Sequence, residues 1–196
     1  MGGKSSGVFI SLNCGPGSSD NKKNILKNLN VVSKKINIKS KKIFLLNQIH
    51  GNKFFFIDKN LKLKNNKFDG DALITNKRNI PIAVLTADCA PILIYDKNKK
   101  MVAAIHAGWK GAYKDIIKKV TRFMIKKGCS PNNITAVIGP CISVNNYQVK
   151  QDFIKRFIKK DDKNKKFFKK KGNKNYFNLS KYIYSQFKAL NIKKID

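Results

Sequence analysis

The sequence is poor in the residues that most often read nucleic acids. Its 196 residues contain 42 Lys and Arg residues against 11 acidic residues, for a formal net charge of +31, but only three of the basic residues are arginines. Arg makes the bidentate contacts that recognise bases and phosphates. The lysines are also spread along the whole chain, as compositional drift in an AT-rich genome would produce. We therefore do not expect a nucleic-acid partner, and a functional polyanion-binding surface is the alternative; either way, so positive a field attracts anionic ligands.

Long apolar runs and paired cysteines are also absent. No window approaches the roughly 18 consecutive apolar residues of a membrane span, and the start lacks the pattern of a secretory signal. The four cysteines form no Cys-x-x-Cys pair, which argues against a disulfide framework. We expect a cytoplasmic protein with no membrane partner. A hydrophobic content of 42% is enough for a core, and the length fits a single domain over residues 1–196.

The hydrophobic pattern predicts a mixed α/β protein with strands in the middle of the chain. Residues 1–19 are typical of a loop, and residues 159–175 are basic and of low complexity, which predicts a solvated loop. Helical spacing covers residues 21–38, 112–127 and 179–190. Apolar runs predict strands at 42–51, 53–57, 71–75, 80–87, 91–96, 101–107 and 134–140.

The stretch TADCAPILIYDKNKKMVAAIHAGWKGA predicts a β-hairpin that brings a cysteine and a histidine together. If Asp96 pairs with Met101 across the KNKK turn, Cys89 lies opposite Gly108, two positions beyond His106. Diagonal neighbours on one sheet face are roughly 7–8 Å apart, within reach of both side chains. The other histidine, His50, also ends an apolar run and precedes a glycine.

Two imidazoles and one thiolate form a zinc ligand set that leaves a fourth position open, as catalytic zinc sites do. His50, Cys89 and His106 are therefore candidate metal ligands. Each also has a structural interpretation, since a lone cysteine is more often a small buried residue. The same residues allow a different chemistry, in which Cys89 is the nucleophile of a cysteine hydrolase or deamidase and His106 is its base.

These motifs carry a resemblance to a known family. The segments NQIHGN, DALIT, TADCAPILIYD, AAIHAGWKG and AVIGPCI, preceded by GGKSSGVFISLN, occur in an order that resembles the laccase-domain family, also called the YfiH or DUF152 family. The similarity runs from Gly2 to about Val149. It implies a layered α/β/β/α sandwich of mixed sheets flanked by helices, similar to the cysteine-hydrolase fold of the cytotoxic necrotizing toxins.

The resemblance also implies a function. Members of the family are described as purine nucleoside phosphorylases, acting on inosine, adenosine or methylthioadenosine with phosphate, with adenosine deaminase activity beside it. The motif residues of the metal site correspond to His50, Cys89 and His106. The family has also been associated with copper, but two histidines and one cysteine supply too few ligands for a copper redox enzyme, so we expect zinc.

The chain departs from the family pattern at several places. Lys110 stands where the family has Arg, and Gln148 stands where it has Glu. The first strand of the family and its C-terminal segment are not in the sequence, so we expect a fragment, a reduced version or a chain with a mis-assigned boundary.

Other side chains complete the expected site. Asp88 is a candidate proton carrier or a turn-capping residue, and Asp71 is similarly ambiguous. Lys110 is a candidate phosphate ligand, since it keeps the positive charge without the Arg fork. Candidate substrate-binding residues are Asn47, Gln48, Ser6 and Asn13, with Ser11 at the same entrance. The sequence leaves the preferred nucleoside and the oligomeric state open.

Overall fold

A computed structural model describes residues 2–37, 43–58 and 68–196. The helices are α1 (Lys22–Lys35), α2 (Trp109–Tyr113), α3 (Ile116–Lys126), α4 (Gln151–Lys160) and α5 (Leu179–Lys188). The strands are β1 (Phe54–Ile57), β2 (Ala72–Thr75), β3 (Ala90–Asp96), β4 (Met101–Ala107), β5 (Ile134–Ile138), β6 (Gln148–Val149), β7 (Phe168–Lys171), β8 (Lys174–Phe177) and β9 (Lys194–Ile195). Short 3-10 helices cover Gly7–Phe9 and Asp162–Phe167.

The strands form a six-stranded sheet in the order β1-β2-β4-β3-β5-β9 and a three-stranded sheet in the order β6-β8-β7. The larger sheet is mixed, because β1-β2 and β5-β9 are parallel while its other neighbours are antiparallel. The predicted mixed α/β class is confirmed. So is the predicted hairpin, in which Asp96 pairs with Met101 and Pro91 pairs with His106.

One face of the large sheet is covered by helices and forms the main core. The strand β3 alternates buried and more exposed residues, with Ile92 and Ile94 facing inward. They join a buried cluster that takes in the apolar faces of α3 and α5 and three aromatic residues from the C-terminal third, Phe157, Phe167 and Phe177. Such alternation fits a strand with one face on the core. The core therefore fixes β2, β3 and β4, the strands that lead to the candidate site.

Two predicted strands, 42–51 and 80–87, do not form. Their described parts are joined by a single bridge, Phe44 to Ile82, in which Phe44 donates to the carbonyl of Pro81 and accepts from Ala83. Lys42 lies outside the described residues. Pro81 has no amide hydrogen to donate to a ladder, which limits pairing at that point. Residues 86–88 are exposed, and apolar content alone therefore overestimated the strand.

The helix predicted for residues 112–127 is in fact two helices. Asp115 adopts a left-handed conformation with φ of 63° and separates α2 from α3. The carbonyls released by this break are bound by side chains: Asn52 donates to Lys114 at 2.6 Å, and Gln186 donates to Ala112 at 2.9 Å. Lys160 contacts the carbonyl of Tyr113 and the Asp115 carboxylate. These partners come from distant parts of the chain, which local spacing does not reveal.

The prediction of a solvated loop at residues 159–175 is wrong. The segment contains the end of α4, a 3-10 helix, and strand β7 with the start of β8. Phe167 is buried in the core while the lysines of β7 are exposed. The lysine side chains thus face solvent from a folded segment whose aromatic residues pack against the main core. Within the described ranges, no helix is long and apolar enough to cross a membrane.

Candidate active site

The hairpin and the loop before β1 bring the three candidate metal ligands together. His106 lies in β4, Cys89 directly precedes β3, and His50 lies in the loop that follows the Phe44 bridge. One ligand atom from each of the three side chains lies within 4.8 Å of the other two. The rings of His50 and His106 meet edge to face, with centroids 4.8 Å apart. The predicted cluster is therefore present in the fold.

Asp71 supports both histidines of this cluster. It directly precedes β2 and lies opposite His106, whose backbone N–H donates to the Asp71 carbonyl at 2.7 Å. The Asp71 carboxylate lies 2.8 Å from Nδ1 of His106 and accepts from the backbone N–H groups of His50, at 2.9 Å, and Gly51, at 2.7 Å. The contact at Nδ1 leaves Nε2 of His106 as the nitrogen free to bind a metal.

The charges of these groups are coupled. Burial lowers the pKa of His106. Hydrogen bonds with Asp71 and Cys89 raise it by a larger amount, so that the net pKa is about 9. Burial raises the pKa of Asp71, whereas the hydrogen bonds from His106, Gly51 and His50 and the charge of His106 lower it, and the net pKa is below its usual value. Asp71 and His106 therefore form a buried ion pair, only 0% and 3% exposed, and a metal ion at Nε2 would replace the proton that this nitrogen carries in the pair.

Glycine is required where the chain passes closest to the cluster. A Cβ atom on Gly108 would lie 2.7 Å from Sγ of Cys89 and 3.3 Å from the ring of His50. A Cβ atom on Gly111 would lie 2.8 Å from the carbonyl of Gly51. The two glycines of the His-Ala-Gly-Trp-Lys-Gly motif thus allow α2 to begin directly against the cluster.

The donor set fits zinc. Zinc takes imidazole nitrogen and thiolate sulfur at about 2.0–2.3 Å in tetrahedral geometry, so its donor atoms are separated by roughly 3.3–3.8 Å. The most distant pair in the cluster needs to approach by no more than about 1.5 Å, a shift within the reach of side-chain rotation. Copper(I) would accept the same soft donor set. The residues present therefore fit a metal ion.

The cluster lies in a cleft of about 610 Å³, within the range of small-molecule sites in proteins. The described residues that line it are Leu12, Asn13, Cys14, Gly15, Gln48, His50, Leu85, Thr86, Ala87, Asp88, Cys89 and His106. Asp88 is exposed and is the one carboxylate among them. The wall made by the first four residues is mostly apolar, and the metal-ligand side is polar.

The structure distributes the other predicted site residues differently. Asn13 and Gln48 line the cleft, but their amides are occupied: Gln48 donates to and accepts from the backbone of Leu85, both at 2.7 Å. Asn47 donates to Asp69, and Ser6 precedes the first 3-10 helix; neither is a lining residue. Lys110 is exposed on α2, with its ammonium 5.8 Å from the Trp109 ring. A role of Lys110 in phosphate binding stays a prediction.

Two residues near the cleft were not selected from the sequence. Cys14 is a half-buried lining residue whose pKa is raised by burial. Tyr147 has a pKa raised to about 12, first by burial and then by the nearby charges of Cys89 and Asp88. Its phenol is therefore neutral at neutral pH. Both residues come from segments whose apolar residues show no helical or strand periodicity. A loop cysteine or a lone tyrosine in such a segment does not by itself indicate a site.

Comparison with known proteins identifies the family. A family profile described as multi-copper polyphenol oxidoreductase laccase matches residues 1–196. The chain belongs to this family. One relative is a purine nucleoside phosphorylase of Rickettsia conorii, which is 34% identical over 180 residues. The aligned region covers 89% of the chain and 73% of the relative. The purine nucleoside phosphorylase of Corynebacterium glutamicum is 34% identical over 148 residues, covering 76% of the chain and 60% of the relative.

Solved structures support the same assignment. A Neisseria meningitidis protein of the DUF152 family superposes with a TM-score of 0.88 at 26% identity, covering 100% of the laccase-family chain and 77% of its own. The protein YfiH of Bacillus licheniformis superposes with a TM-score of 0.89 at 24% identity and shares the fold, covering 100% and 78%. The chain thus spans about three fifths to four fifths of the length of these four proteins.

Proposed function

We propose that the protein is a zinc-dependent purine nucleoside phosphorylase, with His50, Cys89 and His106 as the zinc ligands. The observation that carries this proposal is the convergence of the three ligand atoms, within 4.8 Å of one another, in a cleft large enough for a nucleoside. Relatives 34% identical that bear the name purine nucleoside phosphorylase support the substrate class.

In phosphorolysis, phosphate attacks the sugar carbon that carries the base, and the purine leaves. A zinc ion at this site would supply Lewis-acid stabilisation for the negative charge of phosphate. The chain's own residues contribute in three ways. Asp71 holds His106 in the tautomer that presents Nε2 to the cleft. The net charge of +31 attracts phosphate. Asp88, whose carboxylate is exposed beside Cys89, would accept a proton from water and pass it to the leaving base.

The test is phosphate-dependent release of hypoxanthine from inosine by purified protein of known metal content. Cys89→Ala removes one ligand, and we expect activity and stoichiometric zinc to be lost while the protein stays folded. Cys129→Ala is the matched control, because Cys129 is a buried cysteine in the main core, distant in the chain from the cleft-lining residues. Folded, zinc-free wild-type protein that releases no hypoxanthine after zinc is added would refute the proposal. Release of ammonia from adenosine in the same preparations tests deamination, for which Asp88 is again the proton carrier.

A cysteine hydrolase is the second candidate, favoured by one observation. Cys89, His106 and Asp71 stand in the order nucleophile, base and orienting carboxylate, with 2.8 Å between Nδ1 of His106 and Oδ1 of Asp71. This arrangement is sufficient to activate a thiol without a metal. The two chemistries differ in their response to chelation: a hydrolase of this kind keeps its activity when zinc is removed, whereas the phosphorylase loses it and regains it with zinc.

A further inference from the structure

One wall of the cleft has no regular secondary structure of its own. Leu12, Cys14 and Gly15 line the cleft from the N-terminal segment, and none of them belongs to a helix or a strand. A loop without a hydrogen-bonded ladder opens locally at low cost unless side chains hold it. What fixes this wall therefore decides the shape of the cleft.

Asn28 of α1 is the centre of the contacts that hold the wall. The side chain is 0% exposed, although a polar residue in a helix usually faces water. Its amide donates to the carbonyl of Asn13 at 2.8 Å, to Oγ of Ser5 at 2.9 Å and to the carbonyl of Ser11 at 3.4 Å. Its oxygen accepts from the backbone N–H of Lys4 at 2.6 Å. One buried amide thus binds both arms of the loop from Lys4 to Asn13.

Asp20 adds a second bond to each arm. Its carboxylate accepts from the Ser5 hydroxyl at 2.6 Å and from the Asn13 amide at 3.0 Å. These bonds and the one from the backbone of Asn21 outweigh burial, so the pKa of Asp20 lies below its usual value. The amide of Asn13 is consumed inside this network and is not available to a ligand. The wall therefore offers the cleft the side chains of Leu12 and Cys14, which suit the apolar face of a purine base.

The backbone of the wall is held in an unfavourable conformation. Ser11 has φ of 90°, a value that residues with a side chain rarely adopt, and it exchanges two backbone hydrogen bonds of 3.2 Å with Ser5. Gly3 passes so close that a Cβ atom there would lie 1.8 Å from the Ser11 carbonyl oxygen. Such strain persists only where the surroundings impose it, and it is concentrated at functional sites.

We propose that Asn28 is a positioning residue for the substrate, which holds the Leu12–Gly15 wall against the base of the nucleoside and takes no part in binding the metal. This inference rests on the proposed function, since it takes the substrate to be a purine nucleoside. Asn28 acts through the loop, because every contact it makes with the wall is to the loop backbone or to Ser5.

The first measurement separates KM from kcat. Asn28→Ala should raise KM for inosine about tenfold, leave kcat within about threefold and leave zinc affinity unchanged. Asn30→Ala is the matched control, since Asn30 is an exposed residue of the same type on the same helix, and it should change none of the three. Ser5→Ala, a milder change in the same network, should shift KM in the same direction and serves if Asn28→Ala does not fold.

The second measurement observes the wall without turnover. Alkylation of Cys14 by iodoacetamide, followed by mass spectrometry, should be several-fold faster in Asn28→Ala than in the wild type or Asn30→Ala. Inosine should slow it in the wild type. Cys129, which is 4% exposed, reports global loosening and should react equally slowly in all variants.

Unchanged KM together with unchanged Cys14 alkylation in Asn28→Ala and Ser5→Ala would overturn the inference, as would a loss of zinc affinity or equal acceleration at Cys129. Wild-type protein with no phosphorolysis would instead refute the proposed function. The alkylation comparison then still decides whether Asn28 holds the wall.

Discussion

The two sides of the cleft are held by two buried polar side chains that differ in what they support. Asp71, directly before strand β2, binds the imidazole of His106, a proposed metal ligand, and the backbone at His50. Asn28, on helix α1, binds the backbone of a loop that carries none of the proposed metal ligands. A carboxylate is suited to the first task because it fixes an imidazole tautomer and raises its basicity. A neutral amide is suited to the second because it donates and accepts at once.

The strongest test of this contrast is Asp71→Asn. The substitution keeps the shape of the side chain, but its NH₂ group opposes a backbone N–H or Nδ1 of His106 and no longer fixes the tautomer. We expect zinc affinity to fall by about 10- to 100-fold, measured by competition with a chromogenic chelator. At limiting zinc, kcat should fall with the zinc content of the protein, and KM for inosine should change less than kcat.

Asp96→Asn is the control for stability. Asp96 is also 0% exposed and accepts from the backbone N–H groups of Asn98, Lys99 and Ser130. It lies at the turn of the β3–β4 hairpin, at the opposite end from Cys89 and His106. Both substitutions should lower the free energy of unfolding by about 1–3 kcal/mol, but Asp96→Asn should leave zinc affinity intact. Equal zinc affinity in the two variants would mean that Asp71 is a structural residue only.

A smaller effect is expected from an added methyl group on each side of the cleft. Gly108→Ala places Cβ 2.7 Å from Sγ of Cys89, which must rotate away, and zinc affinity should fall by about tenfold. Gly17→Ala, beside the N-terminal wall, meets no heavy atom within 4 Å and should change neither zinc affinity nor KM. Loss of zinc affinity in Gly17→Ala, measured with the same chelator, would contradict this division of the cleft.

The side with the candidate metal ligands was largely predictable from the sequence. The short KNKK turn fixes the pairing of Asp96 with Met101, and that register alone places Cys89 opposite Gly108, near His106. Asp71 was found only as an ambiguous candidate, because β2 pairs with β4 across a long intervening segment and no turn sets its register. His50 was selected because it ends an apolar run before a glycine, but the strand predicted there does not form, and a loop brings His50 to the cluster.

The N-terminal side was almost invisible in the sequence. The apolar spacing of residues 21–38 selects Ile25, Leu29, Val32 and Ile36 and passes over Asn28. Asn28 is nevertheless fully buried, whereas Ile36 is 58% exposed. Ser6 and Asn13 were selected as substrate ligands, yet Ser6 lies outside the cleft lining and the Asn13 amide is used within the loop. Polar networks depend on contacts between distant residues, and hydrophobic periodicity contains no information about them.

X-ray absorption spectroscopy of the zinc-loaded protein tests the central claim most directly. The His50–Cys89–His106 cluster predicts one sulfur at about 2.3 Å and two imidazole nitrogens at about 2.0 Å, completed by a light atom. Cys89→Ala should lose most of its zinc, and any zinc that it binds at high zinc concentration should show no sulfur neighbour, whereas Cys129→Ala should keep both the zinc and the sulfur signal. A zinc environment without sulfur, or one whose sulfur survives Cys89→Ala, would contradict the account.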